Sequence, residues 1–466
     1  MADGTPTLRR STVALYATGS LGTGGFGTLP GLVLVYYLTD NLGLAAIAAG
    51  LLVTVAKIWD VVIDPLIGAA SDRMLLSTGT RRTLMVLGAI LLPVFFTLTF
   101  AVPAGLPDAA SVAWVMVSFL LTATSFSLFQ VPFIALPAEL TTDYDQRTRL
   151  LTMRVVVLTL TILLFGAGGP ALRDLGGDDR SLGYLLMALV AGLVIGAGMF
   201  VASRAAPRGV PQPAAQSGSP RDPAADRPAA TSLVATYRAA VALLARSQSF
   251  RALLLTFLLQ GLATGLMLAG AQYVATWVLR SESAVTFLFV ALIAPAVVFA
   301  PVWSRVAHRV GKERGYVIAT VLFGVAALSL LGLLWVPGPW IYLPVALAGA
   351  GYAGMQSLPM AMLPDVIAHD AARHGDGSAG GFSGIWTAGE TTGMALGSTV
   401  LTIVLAISGY AVSVGTDMPV QSDAAIAGIV LSFSVVPAVI IAASLLTLRR
   451  YRLRRGDIDA AAEAAA

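Results

Sequence analysis

Apolar runs of about 20 residues recur along nearly the whole chain, broken by short polar stretches. That is the length a helix needs to cross the hydrocarbon core of a bilayer. The pattern predicts twelve spans, near 11–39, 44–70, 83–104, 111–137, 148–171, 182–203, 249–279, 284–307, 315–336, 340–364, 380–410 and 424–447. The expected fold class is therefore an all-α membrane protein with twelve transmembrane helices. The N-terminal stretch MADGTPTLRRS is polar and lacks the apolar core and cleavage site of a signal peptide.

The polar breaks alternate in charge. Arg73, Arg81 and Arg82 lie between spans 2 and 3, Arg147 and Arg149 between spans 4 and 5, and Arg309, Lys312 and Arg314 between spans 8 and 9. The middle connection carries Arg204, Arg208, Arg221, Arg227, Arg238 and Arg246, and the tail carries Arg449, Arg450, Arg452, Arg454 and Arg455. The alternate breaks hold few basic residues, among them Arg173, Arg180 and Arg280. Lys and Arg mark the cytoplasmic side, so both termini are expected in the cytoplasm, with the protein in the plasma (inner) membrane.

The stretch 205–232 is rich in Pro, Ala, Gly and Ser, a composition that cannot bury a core. It divides the spans six and six. The expected organisation is an N-terminal six-helix bundle (1–204), a cytoplasmic linker (205–246), a C-terminal six-helix bundle (247–448) and a cytoplasmic tail (449–466). The two sides repeat each other. ALPAELTTDYDQRTR and MLPDVIAHDAARHGD both place Leu-Pro at a helix end, an acid just after it, and a second acid six residues beyond the Pro, at Asp143 and Asp370. The connections GAASDRMLLSTGTRR and VWSRVAHRVGKERG occupy equivalent places.

Composition narrows the class. Hydrophobic residues make up 57% of the 466 and charged residues only 12%, against about 25% charged in soluble domains. The net charge of +4 says nothing of nucleic acid in such a chain. There is no cysteine, so disulfides and thiol chemistry play no part. His308, His369 and His374 show no metal-ligand spacing. Gly19, Gly22, Gly24, Gly25 and Gly27 are expected to let helices approach closely, with Pro30 kinking the same span. No strand precedes those glycines and no lysine follows, so they do not form a phosphate loop. Nothing resembles a catalytic constellation. The expectation is a protein that is not an enzyme and has no cofactor and no metal.

One stretch breaks the apolar rule. KIWDVVIDPLIGAASDR follows the uncharged run Leu44–Ala56 and carries Lys57, Asp60 and Asp64. An ionisable group deep in a bilayer costs at least about 2.5–3.5 kcal/mol. Spacings of three and four put the three on one helical face. A Lys57–Asp60 pair would neutralise itself and leave Asp64 alone. Two nearby carboxylates attract a cation or hold one proton between them, so the stretch points to cation or proton coupling. Gln260 and Gln272, inside span 7, are expected to hydrogen-bond between helices.

The same residues carry a family likeness. Lys57-x-Trp59-Asp60-x-x-x-Asp64-Pro65-x-x-Gly68-x-x-x-Asp72-Arg73 resembles helix II of the glycoside–pentoside–hexuronide:cation symporters, the melibiose permease-like family of the major facilitator superfamily. YYLTDNLG at 36–43 resembles the end of that family's helix I, and PAELTTDYDQRTRL its loop between helices IV and V. The resemblance implies two six-helix halves with the substrate site between them. It implies that Asp60 and Asp64 are the cation-site carboxylates, with Lys57 beside them, Ser127 as a helix IV hydroxyl of that site, and Arg154 as a functional helix V arginine. Five features depart from the pattern. Ile63 stands where the family has a cation-site Asn; Gly24 and Gln130 stand where it has sugar-binding acids; Ile134 replaces a sugar-flanking Trp. Glu390, in FSGIWTAGETTGMALG, stands where the family has a helix XI lysine.

The expected function is secondary active transport: proton- or sodium-coupled symport of a small organic solute, glycoside-like by resemblance. Asp60, Asp64 and Ser127 would take the cation, with Lys57 as supporting ion pair. Gln130, Arg154, Trp386 and Glu390 would line the substrate cavity. Arg154 reads equally as a snorkelling side chain, and Glu390 as its structural partner. Asp72, Arg73, Glu139, Asp143, Arg147, Asp365 and Asp370 would pair helix ends into a cytoplasmic gate, or else form a solvated rim. The expected partners are the bilayer, the solute or an amphiphile, and the coupling cation, in a monomer with no nucleic acid. A distant relative in the family carries lysophosphatidylcholine with sodium, so a lysolipid carrier is the alternative; an exporter is another. A non-transporting sensor or scaffold is the reading from a different class. Substrate, coupling ion and direction are not legible.

Overall fold

The computed structural model describes residues 8–103, 105–140, 144–207, 244–374, 379–412 and 419–453. They form helices joined by short turns, with no strand among the described residues. In hydrocarbon every backbone N–H and C=O must be paired within its own segment, which leaves helix as the state of each apolar run. In chain order the helices are α1 Arg10–Ala17, α2 Ser20–Asp40, α3 Ala46–Thr78, α4 Arg82–Phe100, α5 Asp108–Leu140, α6 Tyr144–Arg173 and α7 Arg180–Ser203. After the linker come α8 Gln248–Tyr273, α9 Ala284–Val310, α10 Lys312–Ser329, α11 Tyr342–His374, α12 Ala379–Ile407, α13 Asp423–Phe433 and α14 Val435–Leu448.

Among the described residues, ten helical segments are long and apolar enough to cross a membrane. The remaining two predicted spans are also helical: α11 has 33 residues and α12 has 29. In α12 the described run Thr392–Ile407 is apolar. Ten of the twelve expected spans thus meet the length and apolarity of a membrane crossing among the described residues.

Boundaries differ from the predicted ones for identifiable reasons. The first predicted span is two helices, broken at Thr18 and Gly19, where a Cβ on Gly19 would lie 2.4 Å from the Phe133 ring. The second runs beyond its apolar stretch to Thr78 and stops at Gly79, whose φ of 69° suits a left-handed helix cap. The seventh ends in a π-helical turn, Val274–Val278, followed closely by Arg280 at φ 54°.

Two compact units emerge, and each draws on both halves of the sequence. The first comprises Met1–Pro213, Leu268–Val290 and Ser398–Ile429. Within it α4 and α5 approach so closely that a Cβ on Gly88 would sit 2.5 Å from the Ser125 carbonyl. The second comprises Ala214–Met267, Ala291–Gly397 and Val430–Ala466. Within it α8 and α12 meet backbone to backbone along Gly261, Gly265, Gly393 and Gly397, the small-residue seam that membrane helices use in place of a hydrophobic drive.

Of the five glycines expected to allow close packing, Gly19, Gly22, Gly24 and Gly25 face side chains that a Cβ would strike. Gly27 faces open space.

Candidate functional site

The charged helix shows how lipid and site share one element. Along α3, Ile47, Leu51, Val55, Ile58, Val62 and Leu66 are exposed, forming a stripe at helical spacing. Lys57, Asp60 and Asp64 are centred roughly 150° away at 100° per residue. The lipid-facing side is thus wholly apolar and the charges point into the first unit.

Lys57 Nζ and Asp60 Oδ2 are 3.1 Å apart. One turn on, Asp64 is half-buried and its Oδ1 has no hydrogen-bond partner in the protein. Ser127, 4% exposed on α5, is a polar neighbour of the Asp64 carboxyl, and Asp60 and Lys57 are its neighbouring charges. Trp59 Nε1 donates to Thr124 Oγ1 at 2.8 Å, fixing α3 against α5 one turn before Ser127. One face of α3, with Lys57, Asp60 and Asp64, therefore meets Ser127 of α5. With both acids ionised the cluster has one more negative charge than positive, and it presents a carboxylate oxygen with spare capacity. Chemically it can accept one monovalent cation or one proton.

Gln130 stands one turn beyond Ser127, and its Oε1 accepts from Thr23 Oγ1 of α2 at 2.8 Å. That bond leaves the amide N–H groups as the free polar face of Gln130. Arg154, on α6, lies over the Phe133 ring at 5.3 Å, and Phe133 stacks on Tyr16 at 4.6 Å and on Phe129 at 5.0 Å. The Arg154 carbonyl accepts from Ser20 Oγ at 2.9 Å, while its Nε is buried without a partner.

In the second unit, Trp386 is 3% exposed and stacks on Phe257 of α8, centroids 4.4 Å apart. One ring face is thereby occupied, and its Nε1 is buried without a partner. The side chain of Glu390 lies outside the described residues, as do those of Asp72 and Arg147 and the whole of Asp143. Gln260 ties three helices: it donates to Thr320 Oγ1 at 3.0 Å and to Ser444 Oγ at 3.4 Å, and accepts from Tyr316 at 2.7 Å. Gln272 Nε2 bonds Thr276 Oγ1 one turn away at 3.1 Å.

The acids placed at helix ends find partners inside their own units. Glu139 pairs with Arg81, which also donates to Ser71 Oγ at 2.7 Å. Asp365 pairs with Lys312 at 2.6 Å, and Asp370 with Arg246. Arg73 is exposed. The Arg81–Glu139 and Lys312–Asp365 pairs join the same two places of the internal repeat.

A second polar cluster of the first unit had no sequence counterpart. Asp40, 1% exposed, accepts hydrogen bonds from Tyr410 and from Thr39, and Thr39 also bonds Tyr273 at 2.6 Å. Beside it, Glu282 pairs with Arg180 at 2.8 Å and with Arg173 at 3.4 Å. The only signals in the sequence were the acid of YYLTDNLG and the arginines of the charge-poor breaks.

The family described as MFS/sugar transport protein matches residues 15–455. An uncharacterized symporter of Synechocystis is 24% identical across 96% of this chain and 95% of that protein. A glucuronide carrier protein homolog of Escherichia coli is 21% identical across 91% and 89%. An isoprimeverose transporter of Lactiplantibacillus pentosus is 27% identical over 34% of each. Among solved structures, a nucleoside transporter, NupG, superposes with TM-score 0.60 at 14% identity over 94% of this chain and 99% of that one. A proton dependent oligopeptide transporter superposes with TM-score 0.65 at 14% identity over 97% and 99%.

Proposed function

The chain belongs to the family of MFS/sugar transport proteins, a family of transporters and not of enzymes, and from that premise we propose that it is a cation-coupled symporter of a small organic solute. A relative named as a symporter supports symport, and the relatives named as a glucuronide carrier homolog and an isoprimeverose transporter support a glycoside-like solute. One observation carries the coupling assignment: Lys57, Asp60, Asp64 and Ser127 converge on a half-buried carboxylate with an unpartnered oxygen. Asp60 and Asp64 hold the coupling cation with Ser127 as a neutral ligand. Gln130, Arg154, Trp386 and Glu390 contact the solute. The cytoplasmic gate is formed by Asp72, Arg73, Glu139, Asp143, Arg147, Asp365 and Asp370. Both termini face the cytoplasm, and the working division is the six-helix bundles 1–204 and 247–448 on either side of the linker 205–246.

The coupling ion is a proton. A sodium ion stripped of water needs several oxygens, and Ile63 supplies none where the resemblance would place an amide. A proton needs one carboxylate, and Asp64, farther from Lys57 than Asp60 is, is its carrier. Uptake into proteoliposomes, with sodium and pH gradients imposed separately, tests the assignment. Accumulation driven by inward sodium at equal pH, with no response to a pH gradient, would reject the proton. No gradient-driven accumulation of any glycoside, organic acid or lysolipid would reject symport.

A further inference from the structure

The cluster at Asp40 lines a small recess of ≈ 30 Å³ that takes no part in the coupling site. It sits at the end of α2 away from the N-terminus, where α6, α7, the turn before α9 and the segment after α12 converge within the first unit. Three polar atoms on its walls are buried without a hydrogen-bond partner in the protein: Tyr36 Oη, Tyr184 Oη and Arg173 Nη1. Arg173 is only 5% exposed. A buried guanidinium N–H and two buried hydroxyls left unsatisfied in one recess would each cost about 1–3 kcal/mol, unless ordered water bonds them. On this measure one water needs about 10–15 Å³, so the recess has room for a hydrogen-bonded chain of about two.

The charges in the recess indicate what such a chain conducts. Its carboxylates are Asp40, Asp174 and Glu282, and its cations are Arg173 and Arg180. With all five ionised, one negative charge is left over. Asp174 and Glu282 lie directly against the guanidinium groups, at 3.1 Å from Arg173 and 2.8 Å from Arg180 respectively. Asp40 is the deepest of the three, bonded by Tyr410 and Thr39 and with the Tyr273 ring packed edge-on to Tyr36 and to Tyr410. An anion would add to the surplus, whereas one proton cancels it.

We propose that this recess is a hydrated entry through which protons of the outer solution reach Asp40, and that protonating Asp40 loosens the seal it makes with Tyr410 and Thr39. The proton passes from water to the Asp40 carboxylate. The Tyr410 O–H bond then changes from a charge-assisted one to a neutral one, roughly half as strong. Tyr410 belongs to a segment 370 positions away in the chain, so this bond fastens the start of the molecule to its distant end. The seal is therefore tight in neutral surroundings and easy to open in acid.

The test uses the absence of native cysteine. Gly27, exposed and in open space roughly 20 Å along α2 from Asp40 at 1.5 Å per residue, becomes the reporter as Gly27→Cys. Val420→Cys, at a position 97% exposed, is the reference that corrects for the pH dependence of the reagent. An impermeant maleimide is added outside right-side-out vesicles. Labelling of the reporter relative to the reference is expected to rise about five- to tenfold between pH 8 and pH 5.5. With Asp40→Asn added, it is expected to be high and flat across that range. Should that variant fail to reach the membrane, Tyr410→Phe is expected to raise the ratio at pH 8 and shrink the response to acid. A ratio flat with pH in the Asp40 chain overturns the proposal, as does an acid response undiminished in the tested variant. A rise produced by sodium at pH 8 overturns the proton assignment. Reaction of the Val420→Cys reference from the cytoplasmic side alone places the recess inside and overturns it too.

Discussion

Helices α3 and α9 occupy the same place in the two halves, yet one is loaded with charge and the other has none in its apolar part. Each is the second span of its half, and each ends at one of the two matching connections. Between Ala284 and Trp303 α9 has no ionisable residue; it has Pro295 and Pro301, and Trp303 Nε1 donates to the Ala350 carbonyl at 2.7 Å. At the equivalent depth α3 has Lys57, Asp60 and Asp64, with Ser127 opposite. The fold is satisfied by either version, so the fold does not explain the charges. What is duplicated is scaffold, and what breaks the duplication is chemistry. The proposed coupling role gives these charges a purpose that the sister helix does without.

The largest effect expected from breaking this asymmetry is in transport. Asp60→Asn and Asp64→Asn should each lower gradient-driven accumulation by at least about 100-fold, with the protein still folded, since Asp64 is outside the ion pair and the Lys57 side chain that Asp60→Asn leaves unpaired is 34% exposed. Wild-type accumulation by both variants would make the carboxylates structural. Installing charge on the wrong helix face is the converse. Val298, 66% exposed on α9, changed to Asp should cost about 2.5–3.5 kcal/mol of insertion, read as a collapse in membrane-inserted protein. Unchanged insertion would mean that this face of α9 does not meet lipid.

Smaller effects refine the comparison. Ser127→Ala removes the neutral oxygen beside Asp64 and should raise the half-saturating cation concentration about tenfold, leaving solute affinity at saturating cation unchanged. A shift in solute affinity alone would place Ser127 in the solute site. The least change is expected at the matched pairs of helix ends. Arg81→Ala should cost about 1–2 kcal/mol, because Glu139 then loses its partner in a half-buried place. Lys312→Ala should cost less than about 1 kcal/mol, because the Lys312 side chain is 42% exposed. Thermal unfolding checks the order, and equal shifts would show that the repeat is energetically symmetric at this point.

How much of this was legible in sequence depends on whether a signal is local. Lys57, Asp60 and Asp64 stood out because an uncharged run precedes them and helical spacing aligns them. The matched pairs of helix ends could be anticipated because Leu-Pro followed by acid recurs at Glu139 and Asp365. Arg81 and Lys312, their actual partners, could be seen only as members of basic loops. The Asp40 recess was not legible, since Tyr36, Arg173, Arg180, Glu282 and Tyr410 come from five separate segments and no spacing unites them. Nor could periodicity show that Phe257 would cover one face of Trp386, which depends on how α8 and α12 are registered against each other.

That register has a mechanical side. Where α8 and α12 meet, a Cβ on Gly265 would lie 2.1 Å from the Met394 carbonyl, and one on Gly397 would lie 2.3 Å from the Leu266 amide nitrogen. At these two glycines backbone bears on backbone, while nearer the start of both helices Phe257 stacks on Trp386 and Phe250 packs edge-on to Phe382. Ordinary helix pairs are geared by ridges set into grooves, so an axial slip must lift each tooth over the next. At Gly265 and Gly397 a slip of one residue's rise, about 1.5 Å, meets no tooth; the teeth of this joint are the aromatic pairs at its other end. Even a methyl group at Gly265 would cut a cog into it.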